Sequence, residues 1–315
     1  MLVALAGGVG GARLLSGLVQ VVDPGDVVAV VNTGDDLTLH GLHISPDIDT
    51  VVYTLSGMSN GATGWGVATE SWTVMAELET LGGETWFRLG DRDLATHLYR
   101  TQRLAEGVPL HEVTGEIARA RGLGVRLLPM SDDPVRTHLV LAEDAGDLPA
   151  GTEVPFQTYF VRLRHAVAVR SVRFDGAALA RPAPGVLEAI GEAETVVVCP
   201  SNPVVSVGPI LAVPGMREAL TARREQVVAV SPIVAGAALK GPADRLLEEL
   251  GHESSVVGVA RVYAEWVGTL VIDEQDADVA DAVEAEGVHA VVAPAVMTSP
   301  EVAASLAAVV LDAPR

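Results

Sequence analysis

Four glycines between residues 7 and 11, with an arginine at 13, are the stretch of this chain richest in possible chemistry. Residues 2–6 read as a short apolar strand, Gly7-Gly8-Val9-Gly10-Gly11-Ala12-Arg13 follows, and an amphipathic pattern covers residues 12–22. Backbone without β-carbons can wrap closely around a bulky anion. A helix that begins there aims free N–H groups and a partial positive charge at it. The stretch therefore predicts a phosphate or diphosphate site at the first strand-to-helix turn. Its pattern departs from the familiar signatures. Counted from Gly8 it reads Gly-x-Gly-x-x-Arg, with Arg13 where the dinucleotide fingerprint has its third glycine, and no Gly-Lys-Ser/Thr follows for a P-loop. A nucleotide site is expected, but neither a routine NAD site nor an ATPase.

A second polar run, Asn32-Thr33-Gly34-Asp35-Asp36, closes the next apolar stretch. A carboxylate pair at such a place can hold Mg²⁺ and leave coordination positions for substrate oxygens, so Asp35 and Asp36 are the expected metal ligands. Ser45-Pro46-Asp47-Ile48-Asp49-Thr50 reads as a helix start, with Ser45 as N-cap and Pro46 in the first position. Asp47 and Asp49 are two residues apart and point to nearly opposite sides, so at most one faces a pocket; favouring the helix dipole is the simpler role for Asp47. Between residues 85 and 93, Asp91 is a candidate cap for the next helix and Arg92 a candidate solvated charge. Arg88 follows Trp86 and Phe87, and a guanidinium beside aromatic faces suits phosphate or a flat heteroaromatic ligand. His40, His43 and His97 have no zinc-like spacing.

These residues need a frame. Strand–loop–helix units can be read from residues 2–6, 195–199, 226–231 and 289–293, with further strands at 26–31 and 269–272. Their runs are β-branched or small on both faces, the habit of strands buried on both sides of a parallel sheet. The alternation predicts an α/β fold with a doubly wound, mostly parallel, Rossmann-like sheet. In such sheets ligands sit beyond the carboxyl ends of the strands. The polar residues there are the glycine turn, residues 32–36, Ser201-Asn202-Pro203, and Ser231 followed by Gly236. Residues 46–122 look helical and 125–175 look like strands and irregular structure. We read residues 1–45 and 190–315 as the nucleotide-binding core, and 46–189 as an insertion covering the carboxyl edge.

Composition narrows the partners. The 315 residues carry a formal net charge of −20, against the basic footprint of a nucleic-acid binder. So acidic a protein attracts an anionic substrate only where arginines or metal ions reverse the local field, which again implies a divalent cation. No run approaches the roughly eighteen apolar residues of a membrane span. The first residues lack the marks of a signal peptide, and the single cysteine, Cys199, reads as a small core residue in a cytoplasmic protein.

The motifs Gly-Gly-Val-Gly-Gly-Ala-Arg (7–13), Asn-Thr-Gly-Asp-Asp (32–36), Ser-Pro-Asp-Ile-Asp-Thr-Val-Val-Tyr-Thr-Leu-Ser-Gly (45–57), Trp-Phe-Arg-Leu-Gly-Asp-Arg-Asp-Leu-Ala (86–95), Pro-Ser-Asn-Pro (200–203) and Ser-Pro-Ile-Val-Ala-Gly-Ala-Ala-Leu-Lys-Gly-Pro (231–242) occur in this order. Together they resemble the 2-phospho-L-lactate transferase family of deazaflavin coenzyme F420 biosynthesis, over nearly the whole chain. The resemblance implies joining of a guanosine-diphosphate-activated three-carbon acid, 2-phospholactate or phosphoenolpyruvate, to the terminal ribityl hydroxyl of 7,8-didemethyl-8-hydroxy-5-deazariboflavin (Fo). GMP is released, Mg²⁺ assists, and F420-0 or dehydro-F420-0 forms. It implies Fo contacts at Asp49 and Arg88. The nucleotide and diphosphate side falls to Gly7, Gly8, Gly10, Gly11, Arg13, Asn32, Thr33, Gly34, Ser201, Asn202, Pro203, Ser231 and Gly236. On this reading Asp35, Asp36 and Asp49 are catalytic. One departure is Ala235, where a second glycine is expected before Gly236.

The glycine turn and Pro-Ser-Asn-Pro also resemble regulatory proteins of the gluconeogenesis-factor type, which bind a nucleotide-sugar. The aspartate-rich residues 32–57 and 86–95 have no obvious use in such a sensor. A dehydrogenase is disfavoured by Arg13 and by the lack of an acidic residue closing the second strand before Asn32. A homodimer is expected of such a sheet with exposed helical insertions.

Overall fold

Seven short strands assemble into one sheet: β1 (Leu2–Ala6), β2 (Val27–Val31), β3 (Arg126–Pro129), β4 (Thr195–Val198), β5 (Val227–Val230), β6 (Thr269–Ile272) and β7 (His289–Val292). The computed structural model describes residues 1–61 and 64–314. Spatial order is β7-β6-β5-β4-β1-β2-β3, and every neighbouring pair is parallel. The order reverses at β1, so the crevice beyond the carboxyl ends of β1 and β4 is the topological switch point, where open α/β sheets bind ligands.

The unbroken apolar runs follow from burial on both faces. Side chains alternate across a strand. Val3, Leu5, Val28, Val30, Val196 and Val198 enter one core, with Val186, Ile190, Met216, Tyr263 and Trp266. Leu2, Ala4, Val27, Ala29, Val31 and Val197 enter the other, with Leu14, Leu15, Leu18, Ile48, Val51 and Leu306. Helix α1 (Gly8–Val21) lies in that second layer, so close to the C-terminal helix Pro300–Asp312 that a Cβ on Gly17 would run into the Ala303 backbone. It begins four residues earlier than the amphipathic pattern suggests, because the glycines themselves form its first turn behind an extended N-cap at Gly7.

The cover contains helices α2 (Pro46–Leu55), α3 (Thr73–Thr80), α4 (Asp91–Ala105) and α5 (Leu110–Ala120). An antiparallel sheet of Arg136–Leu141, Glu153–Pro155 and Val169–Asp175 follows. One part of residues 46–189 is not cover at all. β3 pairs with β2 and completes the central sheet, which the mixed run 126–129 does not announce because its first residue is an exposed arginine. Two further expectations change. Ser45 stands at the N-cap of α2 but makes no side-chain cap, since its hydroxyl is spent on Asp36. Asp91 caps α3 rather than its own helix, accepting the N–H groups of Thr73 and Val74 (both 3.1 Å), while Glu70 accepts those of Arg92 and Asp93 at the start of α4. Among the described residues no helix is long and apolar enough to cross a membrane.

Cys199 follows β4 directly, and burial pushes its thiol up to about 12. An unfolded thiol ionises near 8.5. Below that pH the thiol's contribution to stability is intact. Above it only the unfolded chain releases the proton, so stability falls as pH rises towards 12. The stability advantage of the wild type over Cys199→Ala should shrink by up to about 1.4 kcal/mol per pH unit above that point. Urea unfolding of both proteins at about pH 8 and about pH 10 checks this; a gap independent of pH contradicts it.

Candidate active site

The glycine turn and the turn after β4 are built as one piece. Ser201 Oγ accepts the Gly7 N–H (3.1 Å) and donates to the Gly7 carbonyl (2.9 Å). Asn202 accepts the N–H groups of Val204 (2.9 Å) and Val205 (3.3 Å), ordering the short helical turn that Pro203 opens. The glycines are required by this packing. A Cβ on Gly10 would strike the Pro200 carbonyl, one on Gly11 would stand 3.1 Å from Ala6 Cβ, and one on Gly7 2.7 Å from Ser206 Cβ. Gly8 has φ +64°, which side chains other than glycine's rarely accept. With the Gly7 N–H on Ser201 and the Gly8 N–H on Asp47, helix geometry leaves the N–H groups of Val9 and Gly10 for an incoming anion.

Beside this turn, β2 delivers Asn32–Asp36. Asn32 Oδ1 accepts the Gly34 N–H (2.7 Å) and its Nδ2 donates to Asp47 (2.9 Å). Gly34 cannot carry a side chain, since a Cβ would stand 2.7 Å from Thr137 Oγ1. His43 Nε2 (2.9 Å) and the Ser45 hydroxyl (2.8 Å) both engage Asp36 Oδ2. Asp36 Oδ1, Asp35 Oδ1, Thr33 Oγ1 and Thr137 Oγ1 are buried with no partner. Burial raises the Asp35 carboxyl well above its usual range, with the Asp47 charge adding to the effect. Burial likewise raises Asp47 to about 6, against the Asn32 hydrogen bond. Each orphaned buried group costs on the order of 1–3 kcal/mol unless something supplies the missing interaction. Hard oxygen donors of this kind fit Mg²⁺, which takes one or two carboxylates and completes its shell with water and phosphate oxygens. Among the described residues no set of three His, Cys, Asp or Glu side chains forms a full metal cage.

Asp49 stands in a charged layer between α2 and α4. Fully buried Arg100 engages both of its oxygens, Nη1 at 3.1 Å and Nη2 closer still. His97 stands between Asp49 (3.6 Å) and Asp93 (3.2 Å), and the Tyr53 hydroxyl donates to Asp93 (2.6 Å). Burial works against the Arg100 charge, but the facing Asp49 carboxylate outweighs it and keeps the guanidinium protonated. Asp93 also lines a small cleft with Trp65 and Trp72. Exposed Arg88 stacks on the outer part of this region, its Cζ 4.5 Å from the Trp72 ring centre.

The turn after β5 is self-contained. Ser231 Oγ donates to the Ile233 carbonyl (2.8 Å) and accepts its N–H (3.1 Å). Gly236 (φ +76°) and Ala235 (φ +49°) form the tip of the hairpin that follows, with the Ala235 N–H held by both Asp276 oxygens. The left-handed φ explains why a glycine is expected at 235. Arg13 projects from α1 and donates to the Met297 carbonyl (3.3 Å), and its charge is felt at Lys240. Gly57-Met58-Ser59-Asn60-Gly61 matches a hydrolase nucleophile pattern in letters only. It follows a helix, and Ser59 sits in an isolated bridge with Val67, whereas such a nucleophile needs a strand-to-helix elbow.

The 2-phospho-L-lactate transferase CofD family model matches residues 2–307. The chain belongs to that family. Its relatives include proteins named phosphoenolpyruvate transferase from Streptomyces griseus (48% identical, 99% of this chain and 97% of that one), Kitasatospora aureofaciens (47%, 97% and 95%) and Mycolicibacterium smegmatis (42%, 98% and 97%). A solved UPF0052-family protein from Bacillus halodurans superposes with TM-score 0.63 at 16% identity, covering 98% of both chains, a likeness of fold alone. This CofD-family chain is accordingly a transferase.

Sequence reasoning missed several groups of this candidate site. Asp47 faces the glycine turn, and His43, His97, Asp93 and Arg100 lie under the expected carboxylates. A signal existed: Asp93, His97 and Arg100 recur at four- and three-residue spacing along the helix read at 91–105, so one face of it carries charge inward. Removing one member of a buried ion pair strands the other. Arg100→Ala should lose about 3–5 kcal/mol of stability, and Arg100→Ala/Asp49→Ala should lose less than the two single changes added. Denaturant melts of the four proteins test this; strictly additive losses would show that the pair is not coupled.

Proposed function

We propose that this transferase moves a phosphoryl-linked three-carbon acid from a guanosine-diphosphate-activated donor to the terminal ribityl hydroxyl of Fo, in coenzyme F420 biosynthesis. The relatives' names favour the enolpyruvyl form of the donor, giving dehydro-F420-0 and GMP. The observation that carries the reading is the meeting, at the switch point, of the glycine turn with the orphaned oxygens of Asp35 and Asp36. The substrate hydroxyl forms a bond to phosphorus, the phosphorus–oxygen bond to GMP breaks, and the hydroxyl proton passes to a base. Transfer of this kind depends on positioning and charge neutralisation more than on covalent help.

In this reading the N–H groups of Val9 and Gly10 hold the diphosphate, while the Ser201 and Asn202 turn fixes the loop that presents them. Asp35 and Asp36 would hold Mg²⁺ through their unpartnered oxygens. When bound, such a cation neutralises diphosphate charge and helps GMP leave. Asp49, with Arg100 on both oxygens, serves as a hydrogen-bond acceptor that orients the ribityl chain. The Arg88–Trp72 stack offers a flat cationic face to the deazaflavin ring.

Incubating the enzyme with Fo and either guanosine-diphospho-enolpyruvate or its lactyl counterpart, with mass analysis of the products, tests the proposal. No adduct from either donor sinks it. Asp36→Ala should lower turnover on the order of a thousandfold with the melting temperature nearly unchanged; full activity in magnesium would remove Asp36 from the reaction. For Arg88→Ala the KM for Fo should rise about tenfold with kcat little altered. Calorimetry giving wild-type Fo affinity for that variant would argue the opposite.

A further inference from the structure

We propose that Lys240 and Arg13 form a two-cation clamp across the mouth of the glycine turn and take phosphoryl oxygens of the donor's diphosphate. The inference rests on the reading of a diphosphate donor at that turn and adds the residues that grip it from the open side. Among the chain's 21 basic residues Lys240 is the single lysine. It reaches the glycine turn by way of the hairpin Ile233–Val234 and Ala237–Ala238, which leaves the carboxyl end of β5. Its ammonium lies against Gly64, where an added Cβ would stand 2.6 Å from Nζ and 3.3 Å from a Val9 methyl. Val9 is the residue whose N–H the start of α1 leaves free.

Arg13 stands four residues after Val9 on α1, on the same side of the helix. Among the described residues neither cation forms an ion pair with a carboxylate; the Arg13 guanidinium has only the Met297 carbonyl. Partial burial and the nearby Arg13 charge lower the Lys240 pKa. Two cations set side by side repel one another, and an anion between them reverses the sign of the arrangement. A compact ammonium suits the narrow gap over Gly64 as a point charge, whereas the planar arginine fork takes two oxygens at once. The clamp also answers the field problem of an acidic protein, since it brings positive charge to the donor side.

Because Lys240 is the single lysine, amine labelling reads it without ambiguity. The α-amine of Met1, paired with Glu194 at the amino-terminal ends of β1 and β4, is the internal control. The enzyme is treated with an acylating reagent with and without GDP, and each site is followed by peptide mass spectrometry. GDP binding is measured separately by calorimetry. Saturating GDP should slow Lys240 acylation at least tenfold and leave Met1 unaffected. Lys240→Ala should weaken GDP binding on the order of tenfold to a hundredfold, with Lys240→Arg recovering part of the loss and Fo affinity unchanged in both. GDP binding to the wild type without protection of Lys240, or with wild-type affinity in Lys240→Ala, overturns the clamp and leaves the nucleotide site standing. No GDP binding to the wild type overturns the donor reading and the clamp with it.

Discussion

Aspartates 35, 36, 47 and 49 are all buried within one region of the fold, and their mutual repulsion must be compensated. Unit charges in a partly dry interior interact with several kilocalories per mole at contact range, so each carboxylate needs its own counterpart. Asp49 has a complete one in Arg100. Asp47 has hydrogen bonds from Asn32 and Gly8 and keeps a raised affinity for its proton. Asp36 is satisfied on one oxygen by His43 and Ser45, and Asp35 is left most in need. Compensation runs from complete at Asp49, under α4, to incomplete at Asp35 and Asp36. In the proposed reaction an added cation and a bound diphosphate would complete the open end.

That gradient depends on the sheet. Parallel β1 and β4 diverge beyond Ala6 and Cys199, and the double hydrogen bond between Ser201 and Gly7 ties the diverging turns together. The glycines of the turn are therefore mainly a packing requirement, since Pro200, Ser201, Ser206 and Asp47 fill the space that their side chains would take. Close approach to an anion is left to the two N–H groups that helix geometry frees. The oxygens of Ser201, Asn202 and Ser231 are spent on backbone and fix the shape of their turns.

The strands and helices were legible because burial on both faces of a parallel sheet leaves a simple mark: Val28 to Val31 and Val196 to Val198 are apolar at every position. The polar strand ends were legible for the complementary reason, as nothing else in such a sheet calls for Asn32-Thr33-Gly34-Asp35-Asp36. Partnerships were not. Spacing along α2 separates Asp47 from Asp49, and it does so correctly, but it cannot say that both sides of that helix meet polar neighbours, Asn32 on one and Arg100 on the other. Nor does local sequence show that Asp91 caps the helix before its own, because that contact spans seventeen residues and is set by the return of the chain. The place of β3 in the central sheet was not legible for a similar reason: the run is only four residues long and opens on an exposed arginine, although Leu127 and Leu128 enter the two cores.

Fold and chemistry separate along the same line. A protein only 16% identical superposes along nearly all of this chain, a likeness of fold, and a fold does not by itself fix a reaction. What the seven strands provide is a fixed pair of turns and a helix start. Choice enters through the material hung on β2 and β5. The turn after β2, with α2 and α4 above it, supplies the carboxylates and their counter-charges. The hairpin after β5 supplies a cation from the far side. An acidic chain can then offer an anion-friendly corner and a carboxylate-rich corner a few residues apart, because each is compensated locally rather than by the charge of the whole. The net charge of −20 is a sum over the whole chain and does not by itself set the field inside the crevice.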